Sequence, residues 1–275
     1  MSSSGEKHVD DGGARDTTRA RLLVVGVVLF LIAVTTRSTL WDRDEPRFAQ
    51  AAVEMAQGGD WLVPHFNGAE RLHKPALIYW LMASFVSLFG VAEWTVRLAA
   101  PLATGLTALA LLALARRVAP KLGVLTVATF AAAPMVFGTG STATTDAVLC
   151  AAITWSFACF ASALFEGWNA RNALGLVVAL AAAQLVKGPV GVAVPLLGML
   201  PALFVLRREL PNARTLALGV CGAALAATAL FVAWGLPANA ATEGRYLAQG
   251  LGHHVVDRMA DPMEGHGAKP FGFFN

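Results

Sequence analysis

Ionisable side chains recur where long apolar segments of this chain end. They are Asp44 in WDRDEPR, Lys74 in ERLHKP, Asp146 in TATTDA and Lys187 in KGP. A carboxylate can orient or deprotonate a hydroxyl group. A lysine fixed in a water-poor site can stabilise the negative charge of a departing phosphate. These residue types therefore indicate chemistry on a phosphate-linked group at one edge of the apolar segments.

Each of the four residues also has a structural interpretation, which the local sequence leaves open. Asp44 can cap the helix that follows it, and Asp146 or one of the threonines before it can cap the next one. Lys74 and Lys187 can reach from the end of an apolar segment towards phospholipid headgroups.

The segment after Asp44 predicts a short amphipathic helix that rests on the membrane surface. A proline follows in its first turn, Phe48, Ala52 and Met55 recur at helical spacing, and Gly58–Gly59 provides a stop. The stretch from Gly59 to Lys74 is predicted to be a loop. The remaining charged residues at the start of the segment are interpreted as solvated: Asp42, Arg43 and Glu45.

Composition places these motifs in a membrane protein with many spans. Of 275 residues 56% are hydrophobic and only 14% are charged, and the mean hydropathy is +0.58. Soluble domains carry about 25% charged residues. The net charge of +3 gives no indication of nucleic-acid binding, and the basic residues fall between the apolar runs.

A bilayer requires about 20 mostly apolar residues for each spanning helix. This criterion predicts an all-α bundle of about seven spans together with interfacial helices. We expect residues 1–20 to form a disordered cytoplasmic tail and residues 21–275 to form one transmembrane domain with outer loops at 41–93 and 237–275. The predicted spans are 22–40, 94–115, 121–140, 144–165, 171–187, 189–206 and 214–236.

The distribution of arginines sets the expected topology. With seven spans, every basic cluster between spans lies on the side of the N-terminus, which the positive-inside rule makes cytoplasmic. Counting residues 75–91 as a span would move Arg116 and Arg117 outside, so we expect that segment to lie at the outer interface. All the motifs introduced above then face outwards.

The run from DRDEPRFAQAAVEMAQGGDW to HKPALIYW, followed by KGPVG at 187–191 and HHVVDRMADPMEGHGAKPF at 253–271, resembles the GT-C membrane glycosyltransferases. The resemblance is to the group that includes lipid A aminoarabinose transferases and protein O-mannosyltransferases. It implies transfer of a sugar from a polyprenyl-phosphate carrier to a lipid A-type or other acceptor. It also implies a bacterial inner-membrane location with a periplasmic site, and contact with membrane lipids but not with nucleic acid.

The resemblance assigns roles to individual positions. It makes Asp44 and Asp146 the catalytic carboxylates, and it makes Lys74, with Arg47 and Lys187, the groups that bind the substrate phosphate. If the acceptor is itself a phosphate, Asp44 would position that acceptor or a metal, since an anionic acceptor needs little help from a base.

The resemblance also implies a divalent cation, zinc, held by His73 and His254. His73 stands where the family carries a glutamate, and imidazole is an equally suitable zinc ligand. His253 and His266 are the alternative donors in the same late segment.

Two further expectations concern the extent and class of the chain. The family continues well beyond the motif PFGFFN, so the resemblance covers an N-terminal half, and an inactive fragment is one alternative. A protein O-mannosyltransferase-like activity with a serine or threonine acceptor is a second. A transport or interaction module is a third, disfavoured because the charges lie at span ends and no internal repeat is present.

Overall fold

The computed structural model describes residues 3–40, 44–210 and 212–250, and within them the chain is predominantly helical. The predicted all-α fold is confirmed. The elements are α1 (Ser3–Thr35), α2 (Glu45–Gly58), β1 (His65–Phe66), β2 (Ala69–Glu70), α3 (Leu77–Phe89), α4 (Glu93–Arg97), α5 (Ala99–Val118), α6 (Gly123–Ala131), α7 (Pro134–Gly140), α8 (Asp146–Glu166), α9 (Ala170–Lys187), α10 (Val190–Leu206) and α11 (Ala213–Ala241).

In the part of the chain that the structure describes, five stretches of helix are long and apolar enough to cross a membrane, and the pair α6–α7 provides a sixth if it counts as one span. That pair replaces the predicted span 121–140 and is bent by 71°. The bend lies at Ala133, whose backbone is extended before Pro134, as expected of a residue that precedes proline. The predicted span 189–206 corresponds to α10, an apolar helix of 17 residues that is shorter than the five long stretches. The five long stretches are Gly12–Thr35, Glu93–Val118, Asp146–Glu166, Ala170–Lys187 and Ala213–Ala241.

Contacts between helix ends show that the chain passes back and forth between two ends of a bundle. At one end Arg117 pairs with Glu166 at 2.6 Å, joining the last turns of α5 and α8. At the other end Lys187 pairs with Asp146 at 2.8 Å, joining the end of α9 to the start of α8. We call the first the basic end and the second the rim. The basic end carries Arg116, Arg117, Lys121, Arg171, Arg207, Arg208 and Arg214.

The N-terminal segment differs from the prediction, because α1 begins at Ser3 and residues 3–20 are helical where a disordered tail was expected. The helix of the first span continues backwards into this segment. Its position is fixed by Asp16, whose carboxylate accepts the N–H of Gly123 at 2.7 Å at the start of α6. The expectation of disorder was based on local composition, which cannot reveal a contact between residues 107 positions apart.

At the rim, α2 and α3 lie against the ends of the longer helices. The helix α3 has 13 residues, fewer than the about 17 that the shortest spans use. One hydrophobic core joins α2, α3, α5 and α8 and includes Phe48, Ile78, Ala99 and Ala147. This shared core holds the polar residues next to it in one region.

The turn between α9 and α10 is made possible by two glycines. Gly188 has a φ of 67°, in the left-handed region that favours glycine, and its N–H donates to the Gln184 carbonyl at 2.7 Å. Gly191 packs directly on the backbone of Ala183 and Gln184, so that a Cβ atom at position 191 would overlap main-chain atoms. The close approach of α10 to α9 therefore requires glycine at position 191.

We predict that Gly191→Ala destabilises the protein by about 1–3 kcal/mol, the usual cost of overpacking. The overlapped atoms are backbone and cannot rotate away. Thermal unfolding in detergent measures the effect, and Gly222→Ala in α11 is the control because a Cβ there meets no atom within 4 Å. Equal melting temperatures for the two variants would contradict the packing argument.

Candidate functional site at the rim

Asp44 directly precedes α2, and the predicted boundaries of this helix are confirmed. Pro46 lies in its first turn, and Gly59 ends it in the left-handed conformation with a φ of 76°. The Asp44 side chain makes no capping hydrogen bond, so the capping interpretation is wrong. Its Oδ1 atom lies 3.4 Å from Nη1 of Arg47, one helical turn further on. Two predicted site residues are thus neighbours, with 60% and 40% of their side chains exposed.

Glu45 was interpreted as solvated, and the structure shows that this interpretation is wrong. Its side chain is fully buried against Arg97, which is also fully buried. Arg97 donates to the Glu45 carboxylate through Nε and Nη2, both at 2.8 Å, in a two-pronged ion pair. The partner lies 52 residues away, so the local charge pattern did not reveal it.

The same ion pair holds two further segments. Oε1 of Glu45 accepts the N–H of Ala143 at 2.6 Å, three residues before Asp146. Arg97 donates through Nη1 to the Ser38 carbonyl at 2.5 Å and through Nη2 to the Thr39 carbonyl at 2.8 Å. We call this group the Glu45–Arg97 clamp. It joins the segment after α1, the start of α2, the end of α4 and the segment before α8.

The loop predicted between α2 and Lys74 contains a short β-hairpin. Strands β1 and β2 pair antiparallel, and Asn67 and Gly68 form the turn with φ values of 52° and 75°. Asn-Gly is the sequence preferred for such two-residue turns, so the sequence does carry a signal for this hairpin. The Glu54 carboxylate on α2 accepts the N–H groups of Asn67 at 2.8 Å and Gly68 at 3.2 Å. The hairpin is thereby attached to α2.

Arg71, which follows β2, was not singled out in the sequence and is held tightly in the structure. Its Nε donates to the Tyr79 hydroxyl at 2.8 Å, and its guanidinium lies 5.0 Å from the Phe48 ring centroid and 5.7 Å from that of Phe66. Burial raises the pKa of Tyr79 to about 12; Arg71 opposes this shift and the charge of Asp44 adds to it. Asp44 therefore lies within electrostatic reach of the Tyr79–Arg71 pair.

His73 and Lys74 lie in the turn between the hairpin and α3. His73 is exposed and Lys74 is half-buried, while Leu72 beside them is buried. The turn is fixed on one side by the hairpin on α2 and on the other by α3, whose Tyr79 is fully buried. Lys74 is therefore presented from a constrained segment.

Asp146 and Lys187, two predicted site residues, form a direct ion pair. Asp146 is the first residue of α8 and Lys187 the last of α9, and their charged atoms lie 2.8 Å apart. The side chains are 51% and 33% exposed, respectively, so the pair is in contact with the surroundings of the rim. The carboxylate of Asp146 thus contacts a cation from another helix, and Lys187 is held by it.

Apolar neighbours bring these groups together. Phe48 of α2, Ile78 of α3, Ala147 of α8 and Val186 of α9 belong to the same core. Each lies within four residues of a predicted site residue. The predicted catalytic and phosphate-binding residues therefore all lie at the same end of the bundle. They are Asp44, Arg47, Lys74, Asp146 and Lys187.

The predicted zinc site stays a prediction. His73 lies at the rim, whereas His254 and the alternatives His253 and His266 lie outside the described residues. Within residues 3–40, 44–210 and 212–250, no group of three or more His, Cys, Asp and Glu side chains is arranged to hold a metal ion.

We predict that Glu54 stabilises the site in a pH-dependent way. Partial burial raises its pKa, but the hydrogen bonds from Gln50, Gly68 and Asn67 outweigh burial and lower the pKa below the ordinary value of a glutamate. A carboxyl with a lowered pKa in the folded state stabilises that state above the pKa of the unfolded chain, and this contribution is lost as the pH falls through the folded value.

The measurement is the melting temperature of the wild type and of Glu54→Gln between pH 7 and pH 3. Wild type should be the more stable at pH 7, and the difference should shrink as the pH falls below about 4.3, the ordinary pKa of a glutamate. Glu209→Gln at the basic end is the matched control for the substitution itself. A difference for Glu54→Gln that persists unchanged at pH 3 would contradict the assignment.

Residues 73–234 match the family described as dolichyl-phosphate-mannose-protein mannosyltransferase. Two relatives are both named undecaprenyl phosphate-α-4-amino-4-deoxy-L-arabinose arabinosyl transferase. The one from Edwardsiella ictaluri is 34% identical over 195 residues, which are 68% of this chain and 35% of that protein. The one from Pseudomonas aeruginosa is 30% identical over 260 residues, which are 92% of this chain and 46% of that protein.

The fold is similar to a crystal structure of ArnT from Cupriavidus metallidurans bound to undecaprenyl phosphate. The TM-score is 0.74 at 26% identity, with 86% of this chain and 44% of that chain covered. The apo form of the same protein gives a TM-score of 0.72. This chain therefore spans less than half the length of these relatives.

The helices and their arrangement define an all-α, multi-pass membrane protein, and its similarity to the bacterial relatives places it in the bacterial inner membrane. Within that class the chain belongs to the dolichyl-phosphate-mannose-protein mannosyltransferase family, whose model matches more than half of it. The resemblance to GT-C membrane glycosyltransferases noted in the sequence is confirmed.

Proposed function

We propose that the rim binds a sugar linked to a polyprenyl phosphate and transfers the sugar to a lipid A-type acceptor. The main observation behind this proposal is the ion pair between Asp146 Oδ1 and Lys187 Nζ, which lie 2.8 Å apart. The pair lies beside the hydrophobic core that also packs next to Asp44 and Lys74. The names of the relatives and the carrier bound to the solved relative support the choice of donor.

The chemistry assigns a role to each charge. The bond between the anomeric carbon and the phosphate oxygen breaks, and its electron pair stays on the phosphate. Lys74, supported by Lys187 and Arg47, stabilises that negative charge, and such fixed charges act most strongly where water is excluded. The acceptor oxygen forms the new bond to the anomeric carbon.

The carboxylates serve the acceptor side. If the acceptor is a hydroxyl group, Asp44 takes its proton as the bond forms. If the acceptor is a phosphate, it is already anionic and Asp44 positions it. Asp146 holds Lys187 in place and adds negative charge near the sugar ring, where positive charge develops.

The orientation in the membrane follows from the same distribution of charge. Arginines and a lysine in the turns and end turns of α5 to α11 lie at the basic end, which the positive-inside rule assigns to the cytoplasm. The rim then faces the periplasm, where the acceptor lipid of the outer leaflet is accessible.

A protein O-mannosyltransferase-like activity is the second candidate, favoured by the description of the family that residues 73–234 match. It would use the same rim with a serine or threonine hydroxyl as acceptor. Mass spectrometry of lipids and proteins from cells that lack the gene separates the two, because the sugar disappears from a lipid in one case and from a protein in the other.

We predict that Asp44→Asn and Lys74→Ala each reduce sugar transfer by about 100-fold or more, the usual effect of removing a proton-accepting or charge-stabilising group. Neither residue lies in a long apolar helix, so membrane insertion should be unaffected. Transfer of labelled sugar from a polyprenyl-phosphate donor in proteoliposomes is the measurement.

Charge-matched changes at the basic end serve as controls: Glu209→Gln and Lys121→Ala. Both residues are exposed and lie in turns at the basic end, after α10 and α5 respectively, so both variants should keep normal transfer. Near-normal turnover of Asp44→Asn or of Lys74→Ala would show that the assigned role is wrong.

A further inference from the structure

We propose that the Glu45–Arg97 clamp is the positioning element of the transferase site, holding Asp44 and Asp146 in one fixed relation. Neither Glu45 nor Arg97 is proposed to touch substrate. The inference rests on the proposed function for the meaning of the two aspartates, but its structural part can be tested without any sugar transfer.

The connectivity of the clamp carries the argument. Asp44 is the residue before Glu45, and Asp146 lies three residues after Ala143, whose N–H donates to Glu45 Oε1 at 2.6 Å. One carboxylate thus links the backbone segments that bear the two candidate catalytic acids. Arg97 fixes that carboxylate from the opposite side through two hydrogen bonds of 2.8 Å.

The burial of the pair argues for a geometric role. Both side chains are 0% exposed, and removing two charges from water is costly enough that apolar residues of similar volume often stabilise a protein as well. Apolar residues, however, offer no acceptor for the Ala143 N–H and no donor for the Ser38 and Thr39 carbonyls. What the ion pair adds is a set of directed contacts to backbone groups of separate segments.

The ion pair between Arg117 and Glu166 at the basic end provides a comparison. Its charged atoms lie 2.6 Å apart, but the side chains are 24% and 54% exposed. Besides Glu166, Arg117 contacts the Ala113 carbonyl of its own helix, and Glu166 is contacted by Ser162 of its own helix. This pair joins two helix ends and does not position a backbone segment that bears a site residue.

The decisive variant is the double replacement Glu45→Leu with Arg97→Met. It removes both charges together, so that the protein keeps an apolar filling and no unpaired buried charge. We expect normal insertion and folding and a kcat lowered by about 100-fold, since a displacement of reacting groups by about 1 Å costs that much. The KM for the polyprenyl-phosphate sugar should change little, because the double variant keeps Glu54, which attaches the hairpin before Lys74 to α2.

The control is Glu166→Gln, which should retain both kcat and KM. A double variant that is folded and keeps the kcat of the wild type would overturn the proposal, because the pair would then be merely structural. A rise in KM with unchanged kcat would overturn it as well, because the clamp would then act on donor binding.

Hydrogen exchange of the Ala143 amide, followed by mass spectrometry in nanodiscs, tests the clamp independently of activity. The amide should be protected in the wild type and in Glu166→Gln, and should exchange at least 10-fold faster in the double variant, because its acceptor is gone. Equal protection in all three would overturn the proposal. If the wild type transfers no sugar, the proposed function fails, and the exchange result still decides whether the clamp holds this segment.

Discussion

The buried ion pair between Glu45 and Arg97 is the constraint on which the rim depends. A charged pair with no exposure is tolerated only if nearly all of its hydrogen-bonding capacity is used. Here the remaining capacity is used by main-chain groups of Ser38, Thr39 and Ala143. The need to satisfy two buried charges therefore fixes how the segments after α1 and before α8 meet the start of α2.

The packing of α2, α3 and the hairpin provides a second constraint on the rim. The aliphatic and aromatic side chains of α2 and α3 pack on the ends of α5 and α8, and the hairpin is attached to α2 through Glu54. The Arg71 guanidinium lies over the ring of Phe48 in α2 and over the ring of Phe66 in the hairpin, and so contacts both elements. Apolar packing thus holds α2 in place, while directed polar contacts attach to α2 the hairpin that precedes Lys74. This combination of apolar packing and directed polar contacts suits a site whose charged groups must stay fixed in a water-poor environment.

The sequence predicted those features that depend on local pattern. The apolar runs gave the long helices, and the proline and glycine signals gave both ends of α2. The same reasoning failed where a distant partner decides the outcome. The local sequence around Glu45 does not reveal its partner Arg97, which lies 52 residues away. In the same way, the composition of the N-terminal segment does not reveal that Asp16 contacts the start of α6, 107 residues further on. The hairpin is a different case, since Asn67–Gly68 was a legible signal.

The pairing of Asp146 with Lys187 also depends on the tertiary fold. Each residue stood at the end of its own apolar run, and nothing in either run specified that α8 and α9 place them 2.8 Å apart. The positive-inside rule places both residues on the same side of the membrane, but it does not predict that they are in contact. The candidate site is thus predictable as a set of residues from the sequence, but not as a set of contacts.

The central claim is that segments distant in the chain gather at one face of the membrane, and cysteine accessibility tests it most directly. The native Cys150, Cys159 and Cys221 would be replaced, and single cysteines introduced at positions 44, 74 and 146. A membrane-impermeant maleimide applied to sealed, oriented vesicles should label all three from the periplasmic side, and a cysteine at position 121 only from the other. Labelling of any of the three from the cytoplasmic side alone would contradict the account.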